Sequence, residues 1–272
     1  MNADKHDVRQ AAARTEQHER THGHERTHGQ RTATPTLQHR DSIRVLWKML
    51  RGVRRHGTHA EQLRDFYAPQ AASYDAFRER MLHGRKQLID ELPLAVGSRV
   101  TELGGGTGRN LEHFGERLAS LQSVDLVDLC EPLLAVAEKR AAQLRAAWQC
   151  DIQLRTADVT TYRAQAPQDC VYFSYALTMI PDWRLAIDNA ISMLRPGGMF
   201  AAVDFHVPGQ GTLRDRLWQR WFAHDGVHLS AEHLPYLRQR LHEVNCIQAR
   251  GRVPFLPGLR VPYYIFWGYR SA

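Results

Sequence analysis

Between Val100 and Asn110 the chain reads Val-Thr-Glu-Leu-Gly-Gly-Gly-Thr-Gly-Arg-Asn, an apolar run that ends in an acid and is followed by glycines at 104, 106 and 108. A turn so poor in side chains brings bare backbone close to a ligand, and a strand behind it and a helix ahead of it are what hold its shape. The rest of the chain supplies those elements. Strand-like apolar runs occur at 98–103, 124–129, 152–156, 170–177 and 198–205. Amphipathic helical segments lie at about 72–92, 109–117, 132–147 and 182–195, the last closed by Arg195-Pro196-Gly197-Gly198. Strand and helix alternating at this spacing predict an α/β fold with a doubly wound, mostly parallel sheet. After residue 205 the alternation breaks. A helix near 230–243 precedes two β-rich runs, 244–250 and 261–268, that suit an antiparallel hairpin on the sheet edge.

With 43% hydrophobic and 24% charged residues in 272, the chain has the balance of one globular domain with a tail. Nowhere do 18 uncharged apolar residues run together, and the N-terminus has no apolar h-region. Neither a membrane span nor a secretory signal is therefore expected, and a cytoplasmic protein is. Cys130, Cys150, Cys170 and Cys246 form no Cys-x-x-Cys pair, so reduced, mostly buried thiols are expected and no metal cage. The net charge of +7 would suit a nucleic-acid binder, but residues 1–60 hold 12 basic against 6 acidic side chains, leaving the other 212 residues at +1.

Residues 1–41 carry the hexapeptide His-Glu-Arg-Thr-His-Gly twice, at 18–23 and 24–29, among Gln, Arg, Thr and His, with too few apolar residues for a core. They read as a disordered tail whose His18, His22, His24 and His28 chelate only incidentally. Residues 42–60 differ. Ile43, Leu46, Trp47, Leu50 and Val53 recur at helical spacing, with Arg44, Lys48, Arg51, Arg54 and Arg55 between them and no acid, before a short hinge at 56–60. Such a basic amphipathic helix either lies in an anionic membrane interface or docks its stripe on the body of the protein. Residues 61–272 then form the main domain.

The glycine spacing is one residue short of a dinucleotide fingerprint, and Glu102 stands just before the loop. It resembles motif I of the class I S-adenosylmethionine-dependent methyltransferases, (D/E)-x-G-x-G-x-G. The resemblance assigns Glu102, Gly104, Gly106 and Gly108 to the cofactor, S-adenosyl-L-methionine as methyl donor. Twenty residues past Gly108, Asp128 and Leu129 close the second strand, where a carboxylate accepts the ribose hydroxyls. Asp158 and Val159 follow the third strand, at the place of an acid for the adenine amino group and an apolar neighbour under the ring. Ser174 and Tyr175 follow the fourth, at the end of the sheet where doubly wound folds bind ligands.

Two further segments mix aromatic and ionisable side chains: 66–78, with His83-Gly84-Arg85 behind it, and 221–229, with Ala223-His224-Asp225-Gly226-Val227 at its centre. Together with Val203-Asp204-Phe205-His206 and Pro262-Tyr263-Tyr264-Ile265-Phe266-Trp267-Gly268, they resemble the betaine-lipid N-methyltransferases over residues 60–270. The resemblance implies methylation of diacylglycerylhomoserine to diacylglyceryl-N,N,N-trimethylhomoserine, and a partner enzyme that supplies the homoserine lipid. It makes His224, Asp225 or a water chain the acceptor of the amine proton, and counts Tyr74 with His224 and Asp225 among the catalytic residues. Tyr67, Tyr74, Tyr175 or Trp183 would surround the quaternary product. Arg85 would pair with the carboxylate of the cofactor's methionyl part or of the headgroup, or would be a solvated helix-end arginine. A two-chain substrate also favours a membrane role for residues 42–55, hence a peripherally membrane-associated enzyme. The alternatives are a methyltransferase of the same fold acting on phosphatidylethanolamine or a quinone precursor, a nucleic-acid methyltransferase, and a scaffold with a vestigial cofactor fold. The near-neutral body argues against nucleic acid.

Overall fold

The strands beside the glycine-rich turn are buried along nearly their whole length, polar positions included, the pattern of a sheet covered on both faces. The computed structural model describes residues 81–207, 229–253, 258 and 260–272. The chain divides into two compact units, Met1–Thr36 and Leu37–Ala272, and every described residue lies in the second. The strands are β1 (Arg99–Leu103), β2 (Ser123–Asp128), β3 (Asp151–Thr156), β4 (Gln168–Ser174), β5 (Leu194–Phe205), β6 (His242–Arg252) and β7 (Arg260–Tyr269). The helices are α1 (Arg85–Glu91), α2 (Leu111–Phe114), α3 (Glu131–Trp148), α4 (Trp183–Met193) and α5 (His233–Arg240). They build one seven-stranded sheet in the order β3-β2-β1-β4-β5-β7-β6. The five strands β3 to β5 run parallel, and β7 is antiparallel to both β5 and β6.

Successive residues of a strand face opposite sides, so each strand feeds two cores. Val100, Leu126 and Tyr172 pack with Leu88, Ile89, Leu111, Phe114 and Ala137 on one side. Leu103, Phe173 and Phe200 pack with Ile187, Ala190, Leu234 and Leu237 on the other. The parallel sheet with its C-terminal antiparallel hairpin is the architecture read from the sequence.

Several element bounds differ, each for a local reason. Of the helix expected over about 72–92, residues 72–80 lie outside the described residues; Met81 is helical, a turn at 82–84 with Gly84 at φ 79° follows, and α1 runs from Arg85 to Glu91. The helix expected over 109–117 stops at Phe114 and tightens into a 3₁₀ turn from Gly115, which has φ 55°. Arg195-Pro196-Gly197-Gly198 does not close α4, which ends at Met193. It opens β5 instead, where the pairing with β4 shifts register between Gln168 and Cys170. There a side chain at Gly198 would come 3.0 Å from the Gln168 carbonyl, so the irregular pairing depends on glycine. Among the described residues no helix is long and apolar enough to cross a membrane.

Candidate active site

The carboxyl ends of β1, β2 and β4 open onto a cavity of about 200 Å³. Motif I forms its floor. Gly104 and Gly105 both donate their N–H groups to the Val127 carbonyl (2.8 and 3.1 Å), which folds the loop back over β2. A Cβ at Gly104 would lie 2.5 Å from that of Ala176, and one at Gly105 2.5 Å from Leu126 Cγ, so the close approach is open only to glycine. Asp128 is the keystone of this loop. Its Oδ2 accepts the Gly106 N–H and its Oδ1 the Cys130 N–H, both at 2.8 Å, and the side chain is buried while still lining the cavity. Leu129, Asp158 and Val159 complete the β2 and β3 side, and the exposed Asp158 uses Oδ1 to accept Thr160 N–H and Oγ–H at 2.8 and 2.7 Å.

The opposite wall comes from the turn after β4. Tyr175 has φ 55°, a left-handed conformation unusual for a non-glycine residue, and donates its N–H to the Val203 carbonyl at 2.7 Å. Its ring meets Phe205 edge-on at 4.7 Å, and its hydroxyl donates to the His83 carbonyl at 2.7 Å. Asp204, at the end of β5, anchors the same turn by accepting from Thr178 Oγ at 2.7 Å and Thr178 N at 3.2 Å. Burial pushes its carboxyl up to about 6. Met179, Ile180 and Pro181 then roof the cavity and Asp182 stands at its rim.

Among the described residues, the wall carries three carboxylates, those of Asp128, Asp158 and Asp182, and no cationic side chain. A methyltransferase-domain family profile matches residues 73–246. The chain belongs to the methyltransferase-domain family. The ubiquinone/menaquinone biosynthesis C-methyltransferase UbiE of Cellvibrio japonicus is 26% identical to this methyltransferase over 159 residues, covering 55% of this chain and 61% of UbiE. The Pseudomonas fluorescens UbiE is 23% identical over 154 residues, covering 55% and 60%. The methyltransferase thus spans about three fifths of the length of these curated relatives. Among solved structures, the N-methyltransferase NodS of Bradyrhizobium japonicum, in complex with S-adenosyl-l-homocysteine, superposes with a TM-score of 0.59 at 19% identity, over 77% of this chain and 99% of NodS. Phosphoethanolamine N-methyltransferase 2 of Haemonchus contortus, in complex with S-adenosyl-L-methionine, gives a TM-score of 0.59 at 15% identity, over 77% and 60%.

S-adenosylmethionine is the methyl donor of this family, and the chemistry of the wall fits it. A cis-diol needs a buried acceptor beside bare backbone, which Asp128 and Gly106 provide. A flat heterocycle needs apolar walls, which Val159, Met179 and Ile180 provide. A cationic sulfonium is favoured by a wall bearing only anionic charge.

Not every residue read from the sequence lines the cavity of the methyltransferase. Gly104, Gly106, Asp128, Leu129, Asp158, Val159 and Tyr175 do. Gly108 does not: with φ 68° it turns the loop into α2, and a Cβ there would sit 3.2 Å from Ala137. Glu102 lies beneath the loop, 1% exposed, accepting from Asn110 Nδ2 at 2.6 Å and from the Tyr172 hydroxyl at 2.8 Å. Loss of hydration there pushes its carboxyl up to about 7, against those hydrogen bonds and the nearby Arg85 charge. Arg85 opens α1 and is buried, so it is not a solvated helix-end arginine. Ser174 is buried at the end of β4, and its hydroxyl has no partner in the fold. Trp183 is not among the residues that line this cavity. Its ring packs edge-on against His233 and Tyr236, with the Arg184 guanidinium 4.2 Å above it.

Tyr67, Tyr74, His224 and Asp225, like residues 1–60, lie outside the described residues. Sequence reading missed the roof at Met179–Asp182, because an apolar run through Leu177 reads as more strand. Pro181-Asp182 ahead of an amphipathic helix was the available sign that the strand had already ended. It also missed Asn110, which the glycine-rich turn folds back onto Glu102, and Tyr172, which meets Glu102 only through the parallel pairing of β1 with β4.

Proposed function

We propose that this methyltransferase transfers methyl groups to the amine of diacylglycerylhomoserine, forming diacylglyceryl-N,N,N-trimethylhomoserine by successive N-methylation. The observation that carries the reading is where the acceptor-type segment His83-Gly84-Arg85 sits. It rests directly on the cavity wall, its His83 carbonyl held by the Tyr175 hydroxyl. The segment 66–78, which together with it resembles the betaine-lipid enzymes, precedes it in the sequence.

The bound cofactor supplies an electrophilic methyl group on a sulfonium, and its transfer is an in-line displacement. The protein's task is to hold an unprotonated nitrogen against that methyl and to keep water away. Asp128 and the Gly104–Gly106 backbone fix the nucleoside end, while Met179, Ile180 and the Tyr175 ring exclude water. The anionic wall favours the cationic cofactor and then the ammonium product. His224 or Asp225 takes a proton from the nitrogen before each of the three transfers, since the primary, secondary and tertiary ammonium forms must each lose one to expose the lone pair, and Tyr74 orients the amine. Residues 42–55 hold the enzyme on the cytoplasmic surface of an anionic membrane, where a partner enzyme delivers the homoserine lipid.

A second reading, C-methylation of a quinone precursor, is favoured by the likeness to UbiE. Mass spectrometry after incubation with labelled S-adenosylmethionine separates the two. With vesicles of diacylglycerylhomoserine, phosphatidylethanolamine or a demethylated quinone, label should appear only in mono-, di- and trimethylated homoserine lipid. Label confined to another acceptor would overturn the proposal while leaving the cofactor site intact.

A further inference from the structure

The segment ahead of α1 is held by three separate parts of the fold. The His83 ring donates from Nε2 to the Arg252 carbonyl of β6 (2.8 Å) and stacks on Tyr263 of β7, with centroids 6.0 Å apart and planes at 27°. Gly251 makes room for that ring, since a Cβ there would fall 1.9 Å from His83 Cδ2. Gly84 packs so closely on the hairpin that a Cβ would lie 2.8 Å from the Tyr263 ring and 3.0 Å from Ile265, and its φ of 79° admits few other residues. The third hold is the Tyr175 hydroxyl on the His83 carbonyl.

Among the described residues, Tyr175 belongs to both sides of this arrangement. It lines the cofactor cavity and its hydroxyl donates to the His83 carbonyl. A left-handed backbone at a bulky residue is costly, and such a conformation persists where surrounding contacts dictate it, often at binding sites. Those contacts are visible: the Val203 carbonyl on its N–H, Phe205 on its ring edge, and Ala176 pressed on Gly104 of motif I. Burial keeps the phenol protonated and therefore a donor.

We infer that Tyr175 is a positioning residue that couples occupancy of the cofactor cavity to the His83–Gly84 clasp. Nucleoside packed against the ring restricts its motion, and the hydroxyl passes that restriction to the segment that enters the acceptor side. Filling the first site then orders the second, and by linkage the ordered segment strengthens cofactor binding by the same factor. The inference rests on the cofactor reading of the cavity and not on the identity of the acceptor.

Hydrogen exchange read by mass spectrometry on the full chain tests it without catalysis. With S-adenosylhomocysteine at saturation, amides of residues 83–92 should exchange about threefold to tenfold more slowly than in the free protein, the worth of roughly one net hydrogen bond. In Tyr175→Phe, again at saturation, the ligand should change those rates by less than about twofold, because the ring remains and only the hold on His83 is gone. Gly84→Ala breaks the clasp from the hairpin side, away from the cavity. It should lose the same ligand-dependent slowing, and calorimetry should show the affinity for S-adenosylhomocysteine lowered by that same factor, about threefold to tenfold. Slowing that survives in both variants would refute the coupling, as would a wild-type protein that binds the ligand with no slowing at all. If calorimetry finds no binding to the wild type, the cofactor reading itself fails and the inference falls with it.

Discussion

Replacing Asp128 by alanine removes the one side chain that shapes the motif I loop and also faces the ligand. The two consequences can be measured apart. In the free protein, the Gly106 and Cys130 N–H groups lose the carboxylate they share. An unpaired buried donor costs about 1–3 kcal/mol, and water entering from the cavity relieves part of it, so a total near 2 kcal/mol is expected. For a domain of this size that is roughly a 4–8 °C fall in the unfolding midpoint. In the complex, a charged acceptor of ribose hydroxyls is lost as well. At about 1.5–3 kcal/mol for such a bond, the dissociation constant for S-adenosylhomocysteine should rise at least tenfold and up to roughly a hundredfold. Asp128→Asn separates shape from charge. Its amide is nearly isosteric, yet its NH₂ must face one of two backbone donors, so it should lose nearly as much stability. Titration calorimetry with S-adenosylhomocysteine, together with thermal unfolding of the free variants, reads both terms. An Asp128→Ala dissociation constant within about threefold of wild type would refute the placement of the nucleoside against β2.

Three other outcomes follow from the geometry. Glu102 has its folded carboxyl at about 7 against an ordinary 4.5, so the folded state keeps a proton that the unfolded chain releases between those values. The stability this contributes is present below 4.5 and is lost as pH rises through 7, by up to about 3 kcal/mol. Glu102→Gln should therefore flatten the fall in urea-unfolding free energy between about pH 5.5 and 8, and an unchanged slope would show that Glu102 does not titrate there. Gly104→Ala places a methyl 2.5 Å from Ala176 Cβ at φ 74° and should abolish cofactor binding, whereas a calorimetric affinity near wild type would mean that the loop and the post-β4 turn move apart freely. Deleting residues 1–41 should leave methyl transfer intact, while deleting 1–57 should lower it on anionic vesicles more than on detergent-solubilised lipid; equal losses would make the amphipathic helix a packing element.

What was legible in the sequence had a period or a spacing. Cys170 to Phe173 and Met199 to Val203 are continuous apolar runs, and such runs between amphipathic segments permit little other than buried parallel strands. Gly104 and Asp128 were legible because a backbone approach and a ribose acceptor restrict residue type at those places. The polar network under motif I was not, since Tyr172 is one more aromatic in a strand until the β1–β4 register sets its hydroxyl against Glu102, 70 positions away. The burial of Arg85 was hidden for the same reason. A basic residue at a helix start reads as solvated, and only packing against the Glu102 side of the sheet shows otherwise.

The antiparallel hairpin bears on function through the same kind of long-range contact. Had β7 run parallel to β5, reaching its place would have required another crossover, whose helix would cover a face of the sheet. By running back between β5 and β6, it carries Tyr263 and Ile265 to the end of the sheet where Ser174 and Tyr175 stand, through its register of Phe205 with Tyr263 and Val203 with Ile265. Those two side chains are what Gly84 packs upon. The hairpin is therefore the support on which the incoming chain is set against Tyr175. Acceptor-side differences among proteins that share the cofactor loop are then expected to concentrate in the hairpin and in the segment before α1, while the strands β1 to β4 keep a common frame for the nucleoside. Grafting a bulkier residue at Gly251, where His83 fills the space, should accordingly change acceptor handling before it changes cofactor affinity.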